Sequence, residues 1–320
     1  MPRASIVIPT FGRRDGVVRL VRMLRSQTVS PSELEVIVVA NGPDDGTTDA
    51  LATVEVPYAL RAIRRETPGL AAARNAGVAA ARGEVVVILD DDMEPVPAFV
   101  AAHLAAHDDG EPRAVMGAVP IAMSPSMPAP SAYMGEKFNR HLERLARNGG
   151  PTTARDFYGG NLSVRRDVLQ RIAGFDERFT EYGNEDVELA LRLGAAGVRI
   201  VYEPAAIASQ RYDKEFDALA NDTVAKGRTA VQLARLHPEV RSQLKLGSWG
   251  EQPVVRRALV GALLAATRLV PALRRAVVRG MSALGDRRRA LALRLYPPVL
   301  DYLYWCGVRE AERAAPPSGA

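Results

Sequence analysis

The chain has 320 residues, 47% of them hydrophobic and 25% charged, which suits one large domain or a domain with an appendage and excludes wholesale disorder. Its net charge of +5 is uneven: Glu251 to Ala320 holds 12 Arg, no Lys and 5 acids, so the rest is slightly acidic, which argues against a nucleic-acid-binding core. The single cysteine, Cys306, excludes an internal disulfide framework, and no run reaches the roughly 18 uninterrupted apolar residues of a membrane span.

Met1 to Pro9 leads directly into a strand-like run (ASIVIP) without a cleavable apolar segment, so a cytoplasmic location is expected. Ala4 to Pro9 reads as a β-branched strand, and Gly16 to Gln27 carries Val17, Leu20, Val21 and Leu24 at helical spacing. Leu34 to Ala40 is a second buried strand, closed by a turn from Asn41 to Gly46, and Tyr58 to Arg65 is a weaker third. Gly69 to Ala81 is an alanine-rich helix, followed by the strand VVVIL from Val85 to Leu89. Alternating units of this length predict a doubly wound, mostly parallel α/β sheet. A dinucleotide-binding dehydrogenase would want G-x-G-x-x-G after the first strand, and TFGRRDG lacks that spacing.

Asp90, Asp91 and Asp92 follow the VVVIL strand at its C-terminal end, where open α/β sheets place ligands. Adjacent carboxylates repel, and the cluster reads either as an acidic turn capping a helix or as a cation site. In an extended segment Asp90 and Asp92 share one side. Further on, Pro97 to His107 is helical, Ala114 to Met123 strand-like, Ser124 to Pro130 a loop that closes over a ligand or merely connects, and Tyr133 to Asn148 a polar helix. Asp156 to Val164 (DFYGGNLSV) ends in a strand, with a short helix over Arg166 to Ile172. A helix from Glu185 to Leu193 has Asn184 placed as its cap, with Glu185 and Asp186 in a first turn whose dipole favours a carboxylate. These acids are ordinary helix-start residues or a proton acceptor. Val198 to Tyr202 is a last strand and Asp213 to Leu236 a helix.

In order, SIVIPTFGRRDGVVRLVRML, VIVVANGPDDGTTD, TPGLAAARNAGVAAARGEVVVILDDDMEP, GGNLSVRRDVLQRIAGFDE and GNEDVELALRLGAAG resemble glycosyltransferase family 2, over Ala4 to Pro204. The resemblance implies a GT-A fold, a catalytic domain over 1–240 (nucleotide half about 1–95, acceptor half about 96–240), and an inverting transfer from a nucleotide-sugar to a hydroxyl acceptor that is a saccharide, lipid-linked or a small molecule. It implies a divalent cation, Mn2+ or Mg2+, on Asp92 and Asp90 of a D-x-D element, with Asp91 beside the donor. It implies that Thr10, Phe11, Arg13 and Arg74 lie along the nucleotide, that Gly159, Gly160 and Asn161 leave room for the sugar, and that Asp186 is the general base with Glu185 in support or on the acceptor. Two positions depart from the family pattern. Ala40 stands where relatives carry an aspartate for the base, with Asn41 as its substitute, and the stretch AAIASQRYD lacks the histidine that completes a metal site, leaving Arg211 to assist the phosphates. The four histidines, His103, His107, His141 and His237, read as surface or helix residues rather than ligands. Two other classes remain: a sugar nucleotidyltransferase, which would want a better phosphate loop than TFGRRDG, and a nucleotide-sugar-binding module of the same fold without catalysis.

From 251 to 310 apolar blocks alternate with arginines as a basic helical extension, with Leu259, Leu263, Ala266 and Val270 on one stripe and Pro271 dividing it. The extension reads as an anchor on an anionic inner membrane face or as a helical subdomain packed on the core, and the aromatic cluster from Tyr296 to Val308 suits either. Residues 311–320 read as a disordered tail.

Overall fold

In the computed structural model, residues 1–148, 152–270 and 272–314 are described. The strands are β1 (Ala4–Thr10), β2 (Leu34–Asn41), β3 (Ala59–Arg65), β4 (Val85–Leu89), β5 (Met93–Pro95), β6 (Arg113–Gly117), β7 (Asn161–Arg165), β8 (Arg199–Glu203) and β9 (Ala208–Gln210). The helices are α1 (Arg14–Met23), α2 (Thr47–Ala52), α3 (Leu70–Ala80), α4 (Phe99–Ala105), α5 (Ala129–Asn148), α6 (Arg166–Arg171), α7 (Glu185–Ala195), α8 (Phe216–Leu236), α9 (Val254–Leu269), α10 (Ala272–Arg287) and α11 (Arg289–Ala314). Two compact units emerge, the first over 1–122, 137–180 and 185–212 and the second over 123–136, 181–184 and 213–320.

The first unit is a three-layer α/β sheet in the order β3-β2-β1-β4-β7-β6-β8. β3, β2, β1 and β4 run parallel, β7 runs antiparallel to β4 and β6, and β8 is parallel to β6. The β-branched runs of β1, β2 and β4 are buried because helices cover both faces. One face packs on Val17, Leu20 and Val21 of α1 with Phe99 and Leu104 of α4. The other packs on Ala73 and Val78 of α3, Val168 of α6, and Leu189 and Leu193 of α7. The winding reverses between β1 and β4, and their register (Val7 opposite Ile88) carries Thr10 toward Asp91. β5 and β9 form a small antiparallel pair with Met93 opposite Gln210. The strand expected over Ala114–Met123 stops at Gly117, short of Pro120, and α2 forms where only a turn was expected nearby.

The second unit is helical around Phe216, Tyr296, Tyr302 and Leu303. α8 meets α11 at two glycines, where a Cβ on Gly227 would lie 2.1 Å from Tyr304 O and one on Gly307 would lie 1.9 Å from Val224 O. α8, expected with the catalytic half, thus groups with the extension. Of the Tyr296–Val308 aromatics, Tyr296, Tyr302 and Tyr304 are interior residues of this unit and Trp305 is half-buried, with Phe216 stacked on Tyr296 at 5.0 Å. The inward stripe of α9 is Val260 and Leu264, leaving the expected Leu259 and Val270 exposed. The helix divides at the expected place, although Pro271 itself lies outside the described residues. α11 continues to Ala314, where a disordered tail was expected from 311, and 315–320 lie outside the described residues.

Candidate active site

β1, β2 and β4 end at the same edge of the sheet and deliver there Thr10, Asn41 and the Asp90–Asp92 turn. The triplet is a turn and not an extended segment, with the Met93 N–H donating to Asp90 O at 3.4 Å. Different cations therefore hold its members. Arg74 Nη2 reaches Asp90 Oδ1 at 3.3 Å, while Arg13 Nη1 lies 3.2 Å from Asp91 Oδ1 and 3.3 Å from Asp92 Oδ2. Thr10 Oγ1 donates to Asp91 Oδ2 at 2.7 Å, and Gln210 Nε2 to Asp92 Oδ2 at 3.1 Å. Removal from water pushes all three carboxyls above the ordinary carboxylate value, against the pull of Arg74 on Asp90 and of Arg13 on its two partners.

Arg74, on α3, is 2% exposed and joins two acidic spots far apart in sequence. Its Nη1 donates to Asp186 Oδ1 at 2.9 Å and lies 3.5 Å from Glu185 Oε1, and the guanidinium carbon sits 5.0 Å above the Phe175 ring. Burial alone would lower this guanidinium, but Asp186, Asp90 and Glu185 outweigh it and hold the group above its ordinary value. The sequence reading expected Arg74 along the nucleotide, and its guanidinium is engaged here by three carboxylates. Glu185, 4% exposed, supports this arrangement, whereas the Asp186 side chain stays 23% exposed.

The paired glycines lie close against two of the acids. A Cβ on Gly159 would lie 2.3 Å from Asp186 Oδ1, and one on Gly160 would lie 2.7 Å from Asp90 Oδ2. Asn161, expected beside the donor, is 0% exposed and fully engaged: Nδ2 donates to Ala118 O and Ala206 O, and Oδ1 accepts from His103 Nε2 at 2.8 Å. Thr10 and Asp91 are likewise interior and act by fixing Arg13. Phe11 and Arg13 remain exposed at the edge, and the Phe11 ring covers Gly42, whose φ of +111° favours glycine. Asn41 keeps Oδ1 buried without a partner. Arg211 pairs with Glu94 at 3.3 Å and donates its backbone N–H to Asp92 O.

Sequence reasoning missed Gln210 and Phe175. Gln210 lies in the window searched for a histidine, and an amide there is a weak signal until β9 pairs with β5 beside Asp92. Asp92 Oδ1 is buried and unpartnered, and among the described residues no three His, Cys, Asp or Glu gather as a metal-binding group. Such a donor set fits a hard cation held by one or two carboxylates and completed by phosphate oxygens and water.

The family description "Glycosyl transferase family 2" matches residues 5–173, and "N-terminal domain of galactosyltransferase" matches 140–214. Validoxylamine A glucosyltransferase of Streptomyces hygroscopicus subsp. limoneus is 30% identical over 223 residues, which is 62% of this chain and 49% of that enzyme. This chain therefore spans about half the length of that relative. Among solved structures, mannosyltransferase PcManGT from Pyrobaculum calidifontis, in complex with GDP-Man and Mn2+, superposes with a TM-score of 0.64 at 22% identity, covering 97% of this chain and 87% of that one. TarS 1–349 from S. aureus, in complex with UDP-GlcNAc, gives 0.51 at 18% identity, covering 98% of this chain and 92% of that one.

Proposed function

The chain belongs to glycosyl transferase family 2, and from that premise we propose an inverting transfer of a sugar from a nucleotide-sugar to a hydroxyl acceptor, with Asp186 as general base. The chain is a glycosyltransferase of GT-A fold. The reading rests chiefly on one contact pattern, the buried Arg74 that ties Asp90 to Asp186.

The donor lies, on this reading, along the edge lined by Phe11, Arg13 and Asn41. The orphaned Asn41 Oδ1 accepts an N–H of the base, and the exposed Arg13 guanidinium meets a phosphate oxygen. Mn2+ or Mg2+ fits at Asp92 Oδ1, with Asp90 nearby, and when bound supplies positive charge to the diphosphate as it leaves. Arg74 holds Asp186 by Oδ1, so the exposed part of the carboxylate takes the acceptor's hydroxyl proton. The acceptor oxygen bonds to the anomeric carbon as the bond to the diphosphate breaks, and the diphosphate departs with the bonding pair. Attack from the face opposite the leaving group inverts the anomeric centre. A saccharide, a lipid-linked glycan or a small molecule can present that hydroxyl, and a lipid-linked one places the enzyme at the inner face of a membrane.

The test pairs a thermal-shift screen of UDP-, GDP- and dTDP-sugars, with and without Mn2+, with proton NMR of the product. A stabilising donor and an inverted anomeric signal are expected, since a ligand that binds only the folded state raises its stability. A retained configuration, or no response to any nucleotide-sugar, would overturn the reading.

A further inference from the structure

α9 turns Val260 and Leu264 into the second unit, so its opposite face should carry the polar residues of an ordinary amphipathic helix. It does not. Val255, Ala258, Leu259, Ala262, Ala265 and Leu269 follow one another at helical spacing without a charge among them. Val255 is 81% and Leu269 82% exposed, with Val254, Leu259 and Val270 also open. The basic residues of the same unit fall into two sets. Arg256 is paired with Asp301, and Arg274 with Glu310. Arg268, Arg275, Arg279, Arg287 and Arg294 are exposed and form no ion pair among the described residues.

We propose that the second unit docks on an anionic lipid bilayer, with the outward face of α9 in the headgroup–acyl boundary and the unpaired arginines on anionic headgroups. Exposed apolar residues and free guanidinium groups carried by one helical unit match an interface that is apolar below and negatively charged above. The helix rests on the membrane without crossing it, because among the described residues no helix is long and apolar enough to span. A second copy of the chain is the poorer occupant, since it would bring like-charged arginines together. The proposal deepens the placement at a membrane given above, and it does not depend on the sugar chemistry.

Flotation of the full chain with phosphatidylcholine vesicles, with and without phosphatidylglycerol, tests it. The protein should float with the anionic vesicles, less so at high salt, and stay at the bottom with phosphatidylcholine alone. Leu259→Glu with Leu269→Glu should remain soluble and unbound, with an unchanged melting midpoint and an unchanged lipid-free transfer rate. Arg275→Gln and Arg279→Gln each should weaken partitioning about fivefold. The docking proposal is overturned if the wild type ignores anionic vesicles, or if the paired glutamates float as well as it does. It is equally overturned if the wild type is a dimer that the glutamates split into monomers. Absence of lipid-free transfer by the wild type would count against the enzymatic reading alone.

Discussion

At Gly159 the missing side chain decides where Asp186 can sit. A methyl group there would meet Asp186 Oδ1 at 2.3 Å and Arg74 Nη1 at 3.1 Å, so one of them must move. Gly159→Ala is accordingly expected to cost about 1–3 kcal/mol of stability, as overpacking does, and to slow transfer roughly 100-fold through a displaced base. Melting and steady-state rates together check this, and a variant with the wild-type rate would mean that Asp186 has no fixed position to lose. Arg74 is constrained in the same way. Buried among three carboxylates, it neutralises charge that would otherwise be stranded away from water, and so fixes where those carboxylates sit.

Among the elements, α4, the turn that follows it and β7 share a buried polar chain. His103 Nδ1 and His107 Nε2 both lie 2.9 Å from Ser163 Oγ, and His103 Nε2 lies 2.8 Å from Asn161 Oδ1. Since Asn161 Nδ2 faces two carbonyls, its Oδ1 must accept from His103 Nε2–H. Ser163 then donates to His103 Nδ1 and accepts from His107 Nε2–H. This order keeps both rings neutral. Burial accordingly lowers both histidines, each to about 4 from 6.5. A lowered imidazole pKa means that the unfolded chain takes up the proton first on acidification. Stability from this pair is full above 6.5 and is lost as the pH falls toward about 4. For His103 the loss is about 3 kcal/mol across that window. Urea midpoints measured across the window should fall steeply in the wild type and less in His103→Gln, whereas parallel slopes would contradict the assignment. The sequence places these histidines on a surface or a helix, and helical spacing alone cannot tell which face of α4 meets β7. β7 itself was legible as a strand from NLSV, but its antiparallel direction depends on pairing with β4 and β6.

At the scale of the molecule, the doubly wound sheet was readable because β1, β2 and β4 are unbroken β-branched runs and the intervening helices repeat at the right period. The acids were found by their order along the chain. What remained hidden needs three-dimensional contacts: the engagement of Asn161 by two carbonyls, the glycines fitted to carboxylates, and the grouping of α8 with the basic helices through Gly227 and Gly307. Composition did separate the basic end of the chain from its near-neutral remainder, yet only the packing of Val260 and Leu264 tells which side of α9 is left bare. The residues given roles in transfer all fall within the first unit, so the chemistry and the proposed lipid contact are separable by mutation.

The most direct measurement is transfer by Asp186→Asn in the full chain, set beside its affinity for the donor. Loss of a general base should slow transfer about 100- to 10,000-fold and leave donor affinity within about twofold of the wild type. A variant that transfers sugar at the wild-type rate would contradict the account at its centre.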